Sequence, residues 1–582
     1  MVNTADAETD RARGEGPYRS PDRRTRHAVV VGGSVAALLT AHVLSSHADR
    51  VTVVERDLLP EGPEPRAGVP QSRHTHVLLE GGQRALDELL PGIVAELREH
   101  GAPRVGLPSD IVQWQAWRYY RRTGATAHLL TGTRPLLEWL VRRRVLAEPR
   151  ITVLEGTEVV GLVGDSARVR GVRLRRRGSE THQDVRQLAA DLVVDASGRG
   201  SRAPDWLAAI GAEPPHEETL DTGLAYATRV YRHGDTNGSA DTGSTDTTPA
   251  HAGSTDTGST DTAPAHADPT DTTPAHTHPA HTGPIDTTPA HTGPTDTDPT
   301  GADTGPARTA DSSAGASDTG AGVTDSNPDN SVAGSGDTGA TDSVGYYFVP
   351  GRGQARGGVA LPVEGGRHLV TLSGLRGSEP PSDEAAFVDF AAQLPHPVLH
   401  EWLLKARPES PVHAFRSTAN VRRRYDRPGR RPAGFLAIGD ALCAFNPVYG
   451  QGLAVAALGA VALRDALADP RRTPTTRRVQ RALLRASRQA WDIAAGADKE
   501  LPGARGDAAR TRAVDRPAAW YLARVVRRAP GDPVVGAAFR SATSLVSPVS
   551  VLFAPRVVRA VLFGPVLPAP TEPPLRKESA AG

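Results

Sequence analysis

The stretch from Ala28 to Glu55 constrains this chain more than any other. Ala28 to Val31 is a short, apolar, mostly β-branched run, the pattern of a strand buried on both faces. A tight turn follows at Gly32-Gly33-Ser34. Val35 to Leu44 is apolar, Ala-rich and free of Gly and Pro, which predicts a helix packed on a sheet. A second strand, Val51 to Val54, ends in Glu55. Strand, turn, helix and strand make a parallel βαβ unit of the dinucleotide-binding kind. The turn lets backbone approach a pyrophosphate, and the helix N-terminus directs free N–H groups and partial positive charge at it. Glu55 stands about 20 residues beyond the turn, where a carboxylate accepts hydrogen bonds from an adenosine ribose. Against G-x-G-x-x-G, Gly32 fits the first position, Ser34 the second and Ala37 the third. Small residues still permit close approach, but Ser34 must keep φ in the ordinary region. The plainer alternative is a Rossmann-like unit used only as scaffold.

The 582 residues leave room for two or three domains. The formal net charge is +1, but the balance is uneven. Residues 234–343 carry many Asp, no Glu or Lys, and one Arg, Arg308, so the remainder is basic and rich in Arg. That suits an anionic cofactor or acidic partner; no nucleic-acid motif accompanies it, and no nucleic-acid role is expected. The single cysteine, Cys443, excludes an intrachain disulfide and reads as a small packed residue. No signal-peptide h-region and no long uncharged apolar run are present, so a cytoplasmic protein without a transmembrane segment is expected.

Further along, Arg66, Gln71, Arg73, His74 and His76 cluster ahead of a helix near Gln83 to Leu90. They suit contact with a phosphate-bearing cofactor as well as a plain exposed basic loop. Ile111 to Tyr120 alternates like one strand and holds Trp114, Trp117, Tyr119 and Tyr120. In a chain this poor in aromatics, Trp114, Trp117 and Tyr119 are candidates to line an apolar substrate pocket, with sheet packing as the alternative. Arg134 opens a helix whose first turn suits the cofactor side. The run Asp191 to Ser201, DLVVDASGRGS, is a buried strand that places Asp195 at its carboxyl end, where ligands bind in open α/β sheets. Residues 234–343 are low-complexity repeats too poor in apolar residues to bury a core, and are expected to be disordered. They read as a loop grown between two strands of a sheet with its ends close together. The histidines there (His251, His266, His276, His278, His281 and His291) drift in spacing, and no metal site is expected. Phe435 to Cys443, FLAIGDALC, reads as a buried strand ending in Gly439-Asp440. The loop NPVYGQG then enters a long apolar helix from Gly452 to Leu467, a second anion-stabilising helix N-terminus. Helices are expected near Thr476 to Ala495 and Ala518 to Arg528, and Leu545 to Leu567 packs on the body or caps a pocket.

These blocks occur in the order βαβ, DASGRG, GD and NPVYGQG. In that order the chain resembles the FAD-dependent aromatic-hydroxylase superfamily of single-component monooxygenases. GVPQSRHTHVLLEGG, DLVVDASGRGSR, LPVEGGRHLVTLSGLRG and AIGDALCAFNPVYGQG are similar to the flavin epoxidases of actinobacterial polyether antibiotic (polyketide) biosynthesis, the monensin and lasalocid type. The resemblance implies an α/β fold: a Rossmann-like FAD-binding domain interleaved with a β-sheet substrate domain, a helical C-terminal region and a long disordered insert. The implied division is 1–25 disordered; 26–110, 151–215 and 426–470 FAD-binding; 111–150, 216–233 and 344–425 substrate domain; 234–343 insert; and 471–582 helical. Gly32 and Ser34 would line the pyrophosphate, Glu55 would hold the adenosine ribose, and Arg134 would lie over the phosphate or ribityl region. Asp440 would bind the pyrophosphate or ribityl chain, and Pro447, Gly450 and Gly452 would border the isoalloxazine; Gly33, Arg56, Asp195, Gly439 and Gln451 are further cofactor-binding candidates. The implied chemistry is NAD(P)H-driven reduction of FAD, then transfer of one oxygen atom from O2, via a flavin hydroperoxide, to an alkene or polyene. The substrate would be an apolar small molecule, free or tethered to a carrier protein. No obligatory catalytic side chain is implied; the protein excludes water instead. A flavin-dependent prenyl-chain reductase and a flavin-binding interaction protein acting through its insert are the alternatives. The tryptophan-isoleucine-proline signature of flavin halogenases is missing.

Overall fold

The computed structural model describes residues 25–179, 184–233, 345–427, 429, 431–510 and 513–576. The expected disordered N-terminus and the insert at 234–343 lie outside the described residues. The strand His27–Val31 is buried throughout and pairs in parallel with Arg50–Val54 on one side and Leu192–Asp195 on the other. Phe435–Ala437 and Ile151–Leu154 complete this five-stranded parallel sheet at its two edges. Parallel strands must be covered on both faces, which explains their unbroken Val-rich runs. The helices Val35–Ser45 and Gly452–Ala468 pack together here and are apolar almost all round. All the strands end at the same edge. Hydrogen bonds Gly32 N to Val54 O (2.8 Å), Ala196 N to Val31 O (3.0 Å) and Ile438 N to Asp195 O (2.9 Å) hold the three following turns side by side.

A second, mostly antiparallel sheet runs in the order Ala406–Pro408, Ala225–His233, Arg367–Gly374, Arg356–Val363, Gly345–Phe348, Ile111–Gln115, Arg118–Tyr119. Its two faces differ. One packs Val112, Trp114, Tyr119, Tyr231 and Phe348 against the helices Glu384–Ala391 and Val398–Lys405. The other packs Ile111, Tyr347, Val359 and Leu361 against Ala454 at the start of Gly452–Ala468. The helices Arg516–Arg528, Pro533–Thr543 and Pro555–Leu562 build a small core of their own around Tyr120. No helix among the described residues is long and apolar enough to cross a membrane.

Two sequence expectations are corrected. Ile111 to Tyr120 is not one strand: Ala116 and Trp117 adopt positive φ (52° and 65°), which reverses the chain into an antiparallel hairpin. FLAIGDALC also breaks. Gly439 turns at φ 60° after Ala437, and Cys443–Ala444 joins a different sheet with Asn420–Arg423. Cys443 itself is buried, and desolvation pushes its thiol up to about 12, so it is packed and inert.

The strands flanking residues 234–344, Ala225–His233 and Gly345–Phe348, are not neighbours. Arg367–Gly374 and Arg356–Val363 lie between them, each antiparallel to the next. His233 and Gly345 therefore leave and enter at the same end of the sheet, three strand spacings apart and three residues out of step, about 18 Å in all. A flexible linker of about eight Gly/Ser residues spans that distance. Replacing Asp235 to Asp342 with such a linker is expected to leave thermal unfolding and flavin content unchanged. Loss of both would show that the segment supports the fold.

Candidate functional site

The turn after the first strand is a cradle that only glycine fits. Gly32 sits at φ 102°, and a Cβ there would lie 2.7 Å from the Ala196 carbonyl oxygen. A Cβ on Gly33 would meet the Glu55 side chain at 2.8 Å, and Gly33 N donates to Glu55 Oε2 at 2.6 Å. Ser34 caps Val35–Ser45 in ordinary extended geometry, but its hydroxyl makes no cap bond. It donates to Glu138 Oε2 (2.9 Å) and accepts from Arg134 Nη2 (2.7 Å). The first N–H groups of the helix therefore stay free, and its first turn holds no acid.

Glu55 is buried, and a charge cluster surrounds it. Arg66 Nη1 lies 3.1 Å from Glu55 and 3.0 Å from Asp57, and Arg66 Nε donates to Glu138 at 2.8 Å. Burial alone would raise Glu138; the Arg134 and Arg66 guanidiniums outweigh it and hold the carboxyl below its usual range. Arg66 Nη2 is buried with no partner. Arg66 therefore separates from Arg73, which is exposed, and from His74, which with Thr75 reaches the second sheet, while His76 stays close to Arg134. Arg56 points outward, its guanidinium 3.4 Å from the Gly68 carbonyl oxygen. Asp195 is fully buried and already occupied by Ser197 N (3.0 Å), Ser197 Oγ (2.5 Å) and Ser201 Oγ (2.5 Å). It shapes the DASGRG turn rather than offering a free oxygen.

The other half of the site comes from the late segment. Asp440 is half-buried in the 3-10 turn Gly439–Ala441, and its carboxylate makes no hydrogen bond or ion pair among the described residues. A Cβ on Gly452 would lie 3.9 Å from Asp440 Oδ1, so the acid stands beside the N-terminus of Gly452–Ala468. Gly450 takes φ 63°, and a Cβ there would strike Val77 at 2.4 Å. Gln451, the N-cap, is buried; its side chain makes no cap bond and its Oε1 has no partner. Pro447 is exposed. From the second sheet, Tyr347 Oη donates to Val448 O at 2.8 Å. Glu55, Gly32 to Ser34, Arg134, Asp440 and Gly450 to Gly452 thus belong to adjoining turns along one sheet edge.

These residues fit an extended dinucleotide. Two uncapped helix N-termini, a glycine cradle, a buried unpartnered guanidinium nitrogen, an unpartnered carboxylate and a buried unpartnered amide oxygen are the groups such a cofactor uses. The structure does not bring in Trp114, Trp117 or Tyr119. Trp114 and Tyr119 face the opposite side of the second sheet, 4.8 Å apart under the helices, and Trp117 is half exposed at the hairpin tip.

Residues 25–220 match the family described as FAD binding domain. This region is similar to FAD-binding domains. The match takes in the glycine turn at Gly32 to Ser34, Glu55, Arg134 and Asp195, and stops before Asp440. The protein Rv3254 of Mycobacterium tuberculosis is 40% identical over 217 residues, 35% of this chain and 45% of that protein. The chain thus spans about half the length of this curated relative. Two solved structures share the fold: the flavin-dependent brominase Bmp2 (TM-score 0.51, 11% identity, 89% of this chain and 93% of that one), and a flavoprotein/dehydrogenase from Cytophaga hutchinsonii (TM-score 0.51, 10% identity, 92% and 96%).

The face of the second sheet turned toward Gly452–Ala468 carries a polar chain that sequence reasoning missed. His74 Nδ1 bonds Thr228 Oγ1 (2.8 Å), Thr228 bonds Thr371 (2.6 Å), and Thr371 bonds Thr75 (2.8 Å). Tyr226 packs edge-on to His74 at 4.7 Å. Desolvation pushes His74 down to about 3. The unfolded chain takes up that proton near pH 6.5, so between pH 6.5 and 3 it binds more protons than the folded one. Stability contributed by neutral His74 is therefore complete above pH 6.5 and lost as pH falls. The expected slope is up to about 1.4 kcal/mol per pH unit. Denaturant midpoints at pH 7 and pH 5 should fall less in His74→Gln than in the wild type; an equal fall would assign the pH dependence elsewhere.

Proposed function

We propose that this chain is an FAD-dependent monooxygenase that transfers one oxygen atom from O2 to an apolar small molecule, with epoxidation of an alkene or polyene as the reaction. The observation that carries the reading is the loop 446–452: an uncapped helix N-terminus roofed by the second sheet through Tyr347 and Val448. Bound there, FAD would supply the redox chemistry, taking electrons from NAD(P)H and activating O2. The protein's part is binding, charge and exclusion of water. Glu55 would accept from the adenosine ribose, while Arg66 and the first turn of Val35–Ser45 would hold the pyrophosphate. Asp440 would accept from the ribityl hydroxyls. The helix end at Gly450 to Gly452 would stabilise negative charge on a reduced flavin ring. The sheet face that carries Tyr347, Val359 and Leu361 would help to shield the loop from water.

The test supplies purified protein with FAD, NADPH and oxygen-18 gas together with a panel of polyenes, and reads the products by mass spectrometry. One labelled oxygen per product molecule supports the reading. Saturated products without label would replace it with chain reduction. A bound flavin that neither NADH nor NADPH reduces would favour an interaction protein.

A further inference from the structure

Asp498 ends the helix Thr476–Asp498 and is fully buried. A carboxylate is doubly disfavoured there: water is excluded, and a helix C-terminus carries partial negative charge. No ion pair relieves it among the described residues. Three neutral donors converge on it instead: Asn420 Nδ2 at 2.6 Å, Asn446 Nδ2 at 3.0 Å and Tyr449 Oη at 2.6 Å.

These donors serve one loop. Asn446 and Tyr449 belong to NPVYGQG, and Asn420 Oδ1 accepts from Asn446 N at 2.7 Å. Asn446 Oδ1 accepts from Val448 N at 3.2 Å. An asparagine amide has one accepting end and one donating end. Both Nδ2 groups are committed to the same accepting oxygen, Asp498 Oδ2, so both Oδ1 atoms must face the backbone N–H groups of the loop. A donor at that one position would reverse both amides. The cost of burying Asp498 is thus matched by a defined path for the chain into Gly450 and Gly452.

We propose that Asp498 is the positioning residue of the cofactor loop, fixing the amide orientation of Asn420 and Asn446 and through them the Gly450–Gly452 turn. The role of that turn rests on the FAD reading above; the positioning does not. Asp498 touches no reacting atom.

The test uses the full chain, with and without added FAD. Asp498→Leu removes both accepting oxygens at similar volume. Backbone hydrogen exchange at Val448 to Gly452 is expected to rise about tenfold or more, and the FAD dissociation constant by about tenfold. The visible spectrum of the remaining bound flavin should also shift. The conservative variant Asp498→Asn can keep its oxygen toward Asn420 and Asn446 and turn its amide to Tyr449 Oη, which accepts, so it should retain most of the protection. Tyr449→Phe, which removes one donor only, gives the same readout as Asp498→Leu in milder form and serves if Asp498→Leu does not fold. Unchanged exchange in Asp498→Leu and Tyr449→Phe, or an equal rise in Asp498→Asn, overturns the proposal. Exchange effects in the variants together with no FAD uptake by the wild-type protein overturn the cofactor reading alone.

Discussion

Asp440→Ala is expected to fold, to unfold at the wild-type temperature or slightly below it, and to purify without flavin. Among the described residues the carboxylate makes no hydrogen bond or ion pair: it is half-buried beside the uncapped start of Gly452–Ala468. Removing it therefore takes from the fold only the charge at that helix end, about 1 kcal/mol or less. A ligand hydroxyl bonded to a carboxylate contributes about 1.5–3 kcal/mol. Two such bonds to a sugar chain would amount to about 3–6 kcal/mol, or two to four powers of ten in dissociation constant. Titration of the apo-protein with FAD, followed by flavin fluorescence, measures this directly. A variant that loads FAD at the wild-type concentration would mean that the sugar chain lies elsewhere.

The second large effect separates two adjacent glycines. Gly32→Ala places a methyl 2.7 Å from a backbone carbonyl at φ 102°, and neither the strand nor the DASGRG turn can yield. The expected loss is about 3 kcal/mol of stability, together with flavin binding. Gly33→Ala has no positive φ to strain; its methyl meets only the flexible Glu55 side chain. Stability should fall by about 1 kcal/mol or less, because the Glu55 side chain can shift. The acid is displaced, however, and FAD affinity should drop about tenfold or more. Thermal unfolding of the apo-proteins beside FAD titration distinguishes the two. Equal melting losses would remove the assigned difference between cradle and acid.

The first βαβ unit was legible in the sequence because local rules decide it. Apolar runs, a glycine turn and an acid at the right distance are readable without tertiary information, and Ser34 indeed keeps an ordinary φ of −93°. The loop NPVYGQG was legible for the same reason. What escaped depends on distant segments. Asn420, Asn446 and Asp498 meet although they are far apart along the chain, and no periodicity marks them. Tyr347 alternates with Tyr346 and Phe348 in one strand, and alternation shows that two faces exist without saying which is turned to the site. The Trp114, Trp117 and Tyr119 group illustrates the same limit. Its hairpin reversal at Ala116 and Trp117 needs positive φ at residues that do not advertise it. Arg66 was visible as part of a basic cluster, but its separation from Arg73 and His74 follows only from the buried acids Glu55, Asp57 and Glu138.

The order of strands in the parallel sheet also sets a clock for biosynthesis. Leu192–Asp195 waits for its outer neighbour, Phe435–Ala437, which leaves the ribosome much later. At about 5–20 residues per second the interval is roughly 10–50 s. During that time the nascent chain exposes an unpaired hydrophobic edge, a template for pairing with other chains. Asp440 and Asp498 emerge later still, so a nascent chain that has completed residues 25–220 would still lack part of the proposed cofactor site. Yield in cells should therefore depend on chaperone supply during synthesis more than on the stability of the finished protein.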